Sequence, residues 1–120
     1  VAERVAPLIG AGLVATCSVL DAEALYATRS ATEYEEVRRD RRDAYEFLVT
    51  DQEAWDRALE VQRRLAEMSM TRVVGIPDLL VAAVAEIHRV TVLHYDDDFD
   101  RVATITGQPV EWVVPRGDVS

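Results

Sequence analysis

Four carboxylates fall within five positions at the end of "VLHYDDDFD", residues 92–100: Asp96, Asp97, Asp98 and Asp100. The run that precedes them is β-branched and apolar at its start, so the acids gather where a buried strand should end. Such a cluster either solvates a loop, keeping the protein soluble, or waits for a cation. Two other acids could join it. Glu23 has Val19, Leu20, Tyr26 and Ala27 as its helical neighbours three and four positions away, all apolar-bodied. A glutamate on such a face is expected to be paired, protonated or bound to metal, because burying a lone carboxylate is costly. Asp78 follows Pro77 at the start of the apolar stretch "IPDLLVAAVAEIHR". By itself it is explained as a first-turn acid complementing the helix dipole. Side chains of this hard-oxygen type suit magnesium, with manganese the alternative, and the simplest chemistry is metal-assisted attack of water on a phosphodiester.

The elements that must position these residues alternate. "VAERVAPLIGAG" reads as the end of a helix with its glycine stop, and "LVATC" as a short buried strand. "SVLDAEALYATR" is a helix capped by Ser18. Thr32 with Glu35 opens another through about Leu48, and Thr50 with Glu53 a third that carries Trp55, Leu59, Gln62 and Leu65 along one side. "IPDLLVAAVAEIHR" is a helix with proline in its first turn, "TVLHY" a strand, "FDRVATITG" a helix ended by glycine and "VEWVV" a last strand. Strands alternating with helices imply a parallel sheet in an α/β layered structure. Open sheets of this kind bind ligands beyond the carboxyl ends of their strands, where Asp96 and Glu23 are both expected.

Composition narrows the chemistry. A chain of 120 residues, 49% apolar, suits one domain spanning 1–120 with one core. No apolar run reaches the ~18 residues needed to cross a bilayer and residues 1–12 lack a signal-peptide layout, so a cytoplasmic protein without membrane contact is expected. Cys17 is the only cysteine, which leaves no internal disulfide or thiol zinc site and suggests a small buried hydrophobe. The net charge of −9 disfavours indiscriminate attraction to nucleic acid. All 13 basic residues are arginine, which excludes phosphate loops and Schiff-base chemistry that depend on lysine.

"SVLDAEALY", "IPDLLVAAVAE" and "VLHYDDDFDRVA", in this order, resemble the acid-bearing segments of the PIN-domain ribonucleases, and within them of the VapC toxins of bacterial toxin–antitoxin pairs. "TGQPVEWVVP" is similar to the tails of actinobacterial members, and the exclusive use of arginine fits a GC-rich genome. The resemblance spans nearly the whole chain. It implies a three-layer α/β/α fold with a mostly parallel central sheet and a magnesium-dependent endoribonuclease cleaving structured RNA. By the same resemblance Glu23, Asp78 and Asp96 hold the metal, with Asp98 a direct ligand or a partner of one. The partners it implies are a VapB-type antitoxin, the RNA substrate and a second copy of the chain.

One departure is plain. The family opens with a strand carrying the first aspartate of its acidic set, and nothing before Glu23 matches it; Asp21 is the only earlier aspartate. The chain is therefore expected to be a fragment or processed form of a longer protein. The competing function class is a catalytically silent PIN-like module that binds an antitoxin or another protein.

Other readings of the same residues are weaker. Asp96, Asp98 and Asp100 imitate an EF-hand opening, but the turn glycine is replaced by Arg101 and the twelfth position is Gly107. A phosphoacceptor receiver needs the lysine this chain lacks. His88 and His94 lack partner spacing and read as structural. "RRDRRD", residues 38–43, is the best candidate for touching RNA, set against a solvated face with pairs Glu35–Arg39 and Arg39–Asp43. Tyr34, Val37, Ala44, Tyr45 and Leu48 read as core or as an antitoxin groove, and Trp55 and Trp112 as packing groups.

Overall fold

The most apolar segment of the chain forms its most buried helix. Residues Ile76–His88 (α4) start after Gly75 with Pro77 in the first turn, where a missing N–H costs nothing. Every residue from Leu79 to Ala85 is buried. At roughly 1.5–3 kcal/mol for each large aliphatic side chain removed from water, this helix anchors the domain. It stops at Arg89, whose φ of 57° takes the chain out of the helix and into Thr91–His94 (β4). The computed structural model describes residues 8–10, 13–94 and 97–112, together with all side chains there except those of residues 8–10, 13, 93, 94, 97 and 112.

Before α4 the chain forms Leu8–Gly10 (β1), Leu13–Thr16 (β2), Ser18–Tyr26 (α1), Ala31–Ala44 (α2), Glu46–Phe47 (β3) and Gln52–Glu67 (α3). After β4 come Asp97–Thr106 (α5) and Val110–Trp112 (β5). The sheet order is β3-β2-β1-β4-β5. Strands β2 and β3 pair in parallel, as do β4 and β5, while β1 is antiparallel to both β2 and β4. All strands except β1 therefore point the same way.

Several local expectations change. Leu8–Gly10 is a central strand and not a helix end, since it hydrogen-bonds to a strand on either side, from Leu8↔Ala15 to Leu8↔Val92. Helix α2 ends at Ala44, short of Leu48, because Glu46 and Phe47 are drawn into the ladder beside Ala15 and Thr16. Its cap is Ser30, whose hydroxyl accepts from Glu33 N at 3.0 Å while Glu33 accepts from Arg29 N, a reciprocal box two residues earlier than Thr32 and Glu35. Asp51, not Thr50, caps α3 through Ala54 N at 3.2 Å. Cys17 holds the cap position of α1 in place of Ser18.

The core-facing stripe of α3 is Ala54, Ala58, Val61 and Leu65: Leu65 is as expected, and the other three lie one position before Trp55, Leu59 and Gln62. Trp55 and Leu59 are 44% and 56% exposed. Small residues at 54 and 58 let α3 lie close against α4. Arg57 fastens the pair, donating to Glu86 from Nε at 2.6 Å and from Nη2 at 3.1 Å. On the other side Gln108 is buried, donating from Nε2 to the Ala82 carbonyl at 2.9 Å and accepting from the Thr106 hydroxyl at 2.8 Å. That contact ties the turn into β5 to the middle of α4. The buried residues form one cluster, with Phe99 and Val102 of α5 and Val92 of β4 among them.

Candidate functional site at the carboxyl edge of the sheet

Because β1 opposes both β2 and β4, those two strands finish at the same edge. Helix α1 leaves that edge directly after Thr16, and α5 begins there after β4. Helix α4 packs on β4 and turns into it through two residues, so it runs back along the strand and starts at this edge as well. Glu23 lies in the second turn of α1, Asp78 in the first turn of α4 and Asp98 in the first turn of α5. Helix α4 packs on both α1 and α5.

Their surroundings differ from one another. Glu23 is exposed, contrary to the expectation of an apolar setting. Only Leu20 of α1 is buried, and Tyr26 is 92% exposed, so the short helix offers the core one narrow stripe and Glu23 lies off it. In solvent, the Glu23 carboxylate incurs no burial penalty that would demand a partner. Asp78 is half-buried, and Asp98 is largely buried with Oδ1 accepting from Arg101 Nη1 at 3.0 Å. Asp96 lies outside the described residues, as do the side chains of His94 and Trp112. Among the described residues, no group of three or more His, Cys, Asp or Glu side chains is close enough to hold a metal ion. The candidate ligands on these helix starts, Glu23, Asp78 and Asp98, are carboxylates, the donor type that suits a hard divalent ion. His88, by contrast, sits 3.3 Å from the Val49 carbonyl on the α4 end away from this edge, as a structural residue would.

Sequence reasoning missed a second cluster beside these acids. Asp21 Oδ1 accepts from the Thr16 hydroxyl at 2.9 Å and from Arg41 Nε at 3.0 Å, and Arg41 Nη2 donates to Thr16 Oγ1 at 3.1 Å. Arg41 reaches back from α2, twenty residues away, and its guanidinium also lies 5.0 Å over the Tyr45 ring. Neither expected pair of Arg39 forms. Besides Arg41–Asp21, this stretch of α2 forms the ion pair Arg38–Glu35 at 2.9 Å. No spacing rule joins Asp21 to Arg41; the only local signal was arginine density in "RRDRRD". Arg41, Tyr45 and Phe47 wall a cleft of about 400 Å³ between α1 and α2, at the ends of β2 and β3. Tyr34 and Ala44, read as core or groove, are exposed, and α2 buries no residue.

The PIN-domain family model matches residues 2–105. The chain belongs to the PIN-domain family. Over 117 residues it is 46% identical to "Ribonuclease VapC21" of Mycobacterium tuberculosis, covering 98% of this chain and 85% of that protein. It is 42% identical over 119 residues to "Ribonuclease VapC18" of the same organism, with 98% and 86% covered. Among solved structures, the VapBC-5 toxin–antitoxin structure from M. tuberculosis aligns with a TM-score of 0.56 at 30% identity, over 82% of this chain and 79% of that one. VapBC2 from Rickettsia felis, bound to promoter DNA, aligns with a TM-score of 0.65 at 17% identity over 82% and 73%, a likeness of fold alone. The α/β fold and the actinobacterial likeness expected from sequence both hold for this PIN domain.

Proposed function

We propose that this PIN domain is a VapC-type toxin, a magnesium-dependent endoribonuclease that cleaves structured RNA. What carries the reading is topology: Glu23, Asp78 and Asp98 all belong to the first two turns of helices that start at one edge of the sheet, in a chain alike over nearly its full length to proteins named ribonucleases. Glu23, Asp78, Asp96 and Asp98 are the residues assigned to hold magnesium, or manganese in its place. The bound ion supplies a more acidic water and offsets charge on the phosphate. The chain's own part is to orient the carboxylates from rigid helix ends and to align the RNA with arginines. Arg101 Nη1 donates to the Asp98 carboxylate at 3.0 Å.

The expected partners are a VapB-type antitoxin, as in the VapBC complexes that share the fold, and a second copy of the chain. No described helix is long and apolar enough to cross a membrane, and a cytoplasmic setting is part of the proposal. A second reading, a silent module acting through its surface, is favoured by α2, which stands on the surface without burying a residue.

The full chain is incubated with total RNA in magnesium or in chelator, beside Glu23→Gln, an exposed substitution that leaves the core untouched. Discrete cleavage that disappears with chelator and with the substitution is expected. Cleavage surviving both would overturn the enzyme assignment, and no cleavage by the unaltered chain would favour the binding module.

A further inference from the structure

The cleft between α1 and α2 has charge and aromatic surface that the carboxylate site does not use. Its arginines are not equivalent. Arg41 is spent on Asp21 and fixed over Tyr45, and its side chain is only 12% exposed, so it forms a wall. Arg38 is shared with Glu35 at the rim. Arg42 is exposed and has no ion pair among the described residues, which leaves it the unmatched charge of the cleft. Opposite, Phe47 is 53% exposed although it sits in a strand, paired with Thr16 at the sheet's edge. An exposed aromatic ring on an edge strand, lining the same cleft as an uncompensated guanidinium, is the pairing that grips single-stranded nucleic acid, with ring on base and cation on phosphate.

We propose that this cleft holds an unpaired nucleotide of the RNA strand next to the cut site, its phosphate on Arg42 and its base stacked on Phe47. The assignment rests on the ribonuclease reading and adds to it where the strand runs. Proximity supports it: Thr16 and Phe47 end their strands at the edge where the carboxylates gather, and helix α1 lines the cleft through Asp21 and Leu25 while Glu23, two positions from each, lies on its other side, so the RNA strand crosses α1 between the two sites. Charge supports it too. With −9 overall, the molecule cannot attract RNA indiscriminately, so contact must come from a local cationic site. A cavity of about 400 Å³ is near the small end of ligand pockets, roughly 300–1,000 Å³, which suits a single splayed nucleotide. Bases stacked within a duplex do not reach such a ring.

The test measures binding without cleavage. A labelled single-stranded oligoribonucleotide of mixed sequence and an RNA duplex are each titrated with the full chain in chelator, using unaltered protein, Arg42→Ala, Phe47→Ala and Phe47→Tyr. Both alanine variants change exposed positions, and an unchanged melting curve checks their fold. Phe47→Ala is expected to weaken single-strand binding by about 5- to 100-fold with little effect on duplex, and Phe47→Tyr to retain it. Arg42→Ala should reduce the slope of log affinity against log salt by about 0.7, one phosphate contact on a single strand. Unchanged RNA affinity in both alanine variants overturns the assignment and points to a protein occupant. If the unaltered chain still cleaves RNA in magnesium, the ribonuclease reading survives that result; if it neither binds nor cleaves, both fall.

Discussion

Cys17 is fully buried at the start of α1, and burial pushes its thiol above the ordinary value of 9.0 by disfavouring the thiolate, while N–H groups of Leu20 and Val19 pull more weakly the other way. The folded protein therefore keeps its proton where the unfolded chain would lose it. Stability from this residue is complete below about pH 9 and declines as pH rises through the unfolded thiol's range toward the folded one. Denaturant melts between pH 8 and 10.5 should show that decline, and Cys17→Ala should flatten it; an identical slope in the variant would exclude the thiol as its source. The role as a small buried hydrophobe was legible from its being the sole cysteine. Glu23 was not legible in the same way. Its sequence neighbours are apolar, but amphipathicity states which residues share a face and not whether that face is covered, and here Tyr26 and Ala27 are left in solvent.

Between elements, the α3–α4 contact makes the clearest case for what patterning can and cannot give. The helix and its Leu65 contact follow from sequence, yet Ala54, Ala58 and Val61 of the buried stripe each lie one position before the expected Trp55, Leu59 and Gln62. Close helix approach selects small residues, so alanines took the interface and Trp55 and Leu59 were turned out. Ala58→Leu should overpack this contact and cost about 1–3 kcal/mol in urea melts, whereas Leu59→Ser should change stability by less than about 0.5 kcal/mol. Equal effects would mean that the stripe is wrongly assigned. Arg57 and Glu86 bridge the same helices, and their carboxylate contact holds the guanidinium still further above its ordinary value, but both are part-exposed and solvent screens them. Glu86→Gln is therefore expected to cost only about 0.5–1 kcal/mol. Helix stops were legible where backbone geometry demanded them: Gly107, read as the end of α5, has a φ of +73° and donates its N–H to the Ala103 carbonyl at 2.8 Å. A Cβ there meets nothing within 4 Å, so Gly107→Ala should cost about 1 kcal/mol through backbone strain alone. The place of β1 was not legible, because pairing on both flanks is a non-local gain that outweighs any pattern three residues long.

Across the whole molecule, the acidic balance and the sheet's polarity meet at one edge. A chain at −9 gains some stability from any salt, since screening relieves general repulsion. A carboxylate site for magnesium predicts something more selective. At free magnesium about tenfold above its dissociation constant, the folded state should gain about 1.4 kcal/mol, and sodium chloride of equal ionic strength should not reproduce it. Substituting one proposed ligand separates the two effects further. Asp78→Asn keeps the side chain's shape while removing a negative charge from the edge, and its response to magnesium should vanish. Glu23→Gln, at an exposed position, should lose the response with no structural cost at all. A magnesium-induced rise in melting temperature that persists in both variants would locate the ion elsewhere on an acidic surface and detach the carboxylates of α1 and α4 from the proposed chemistry.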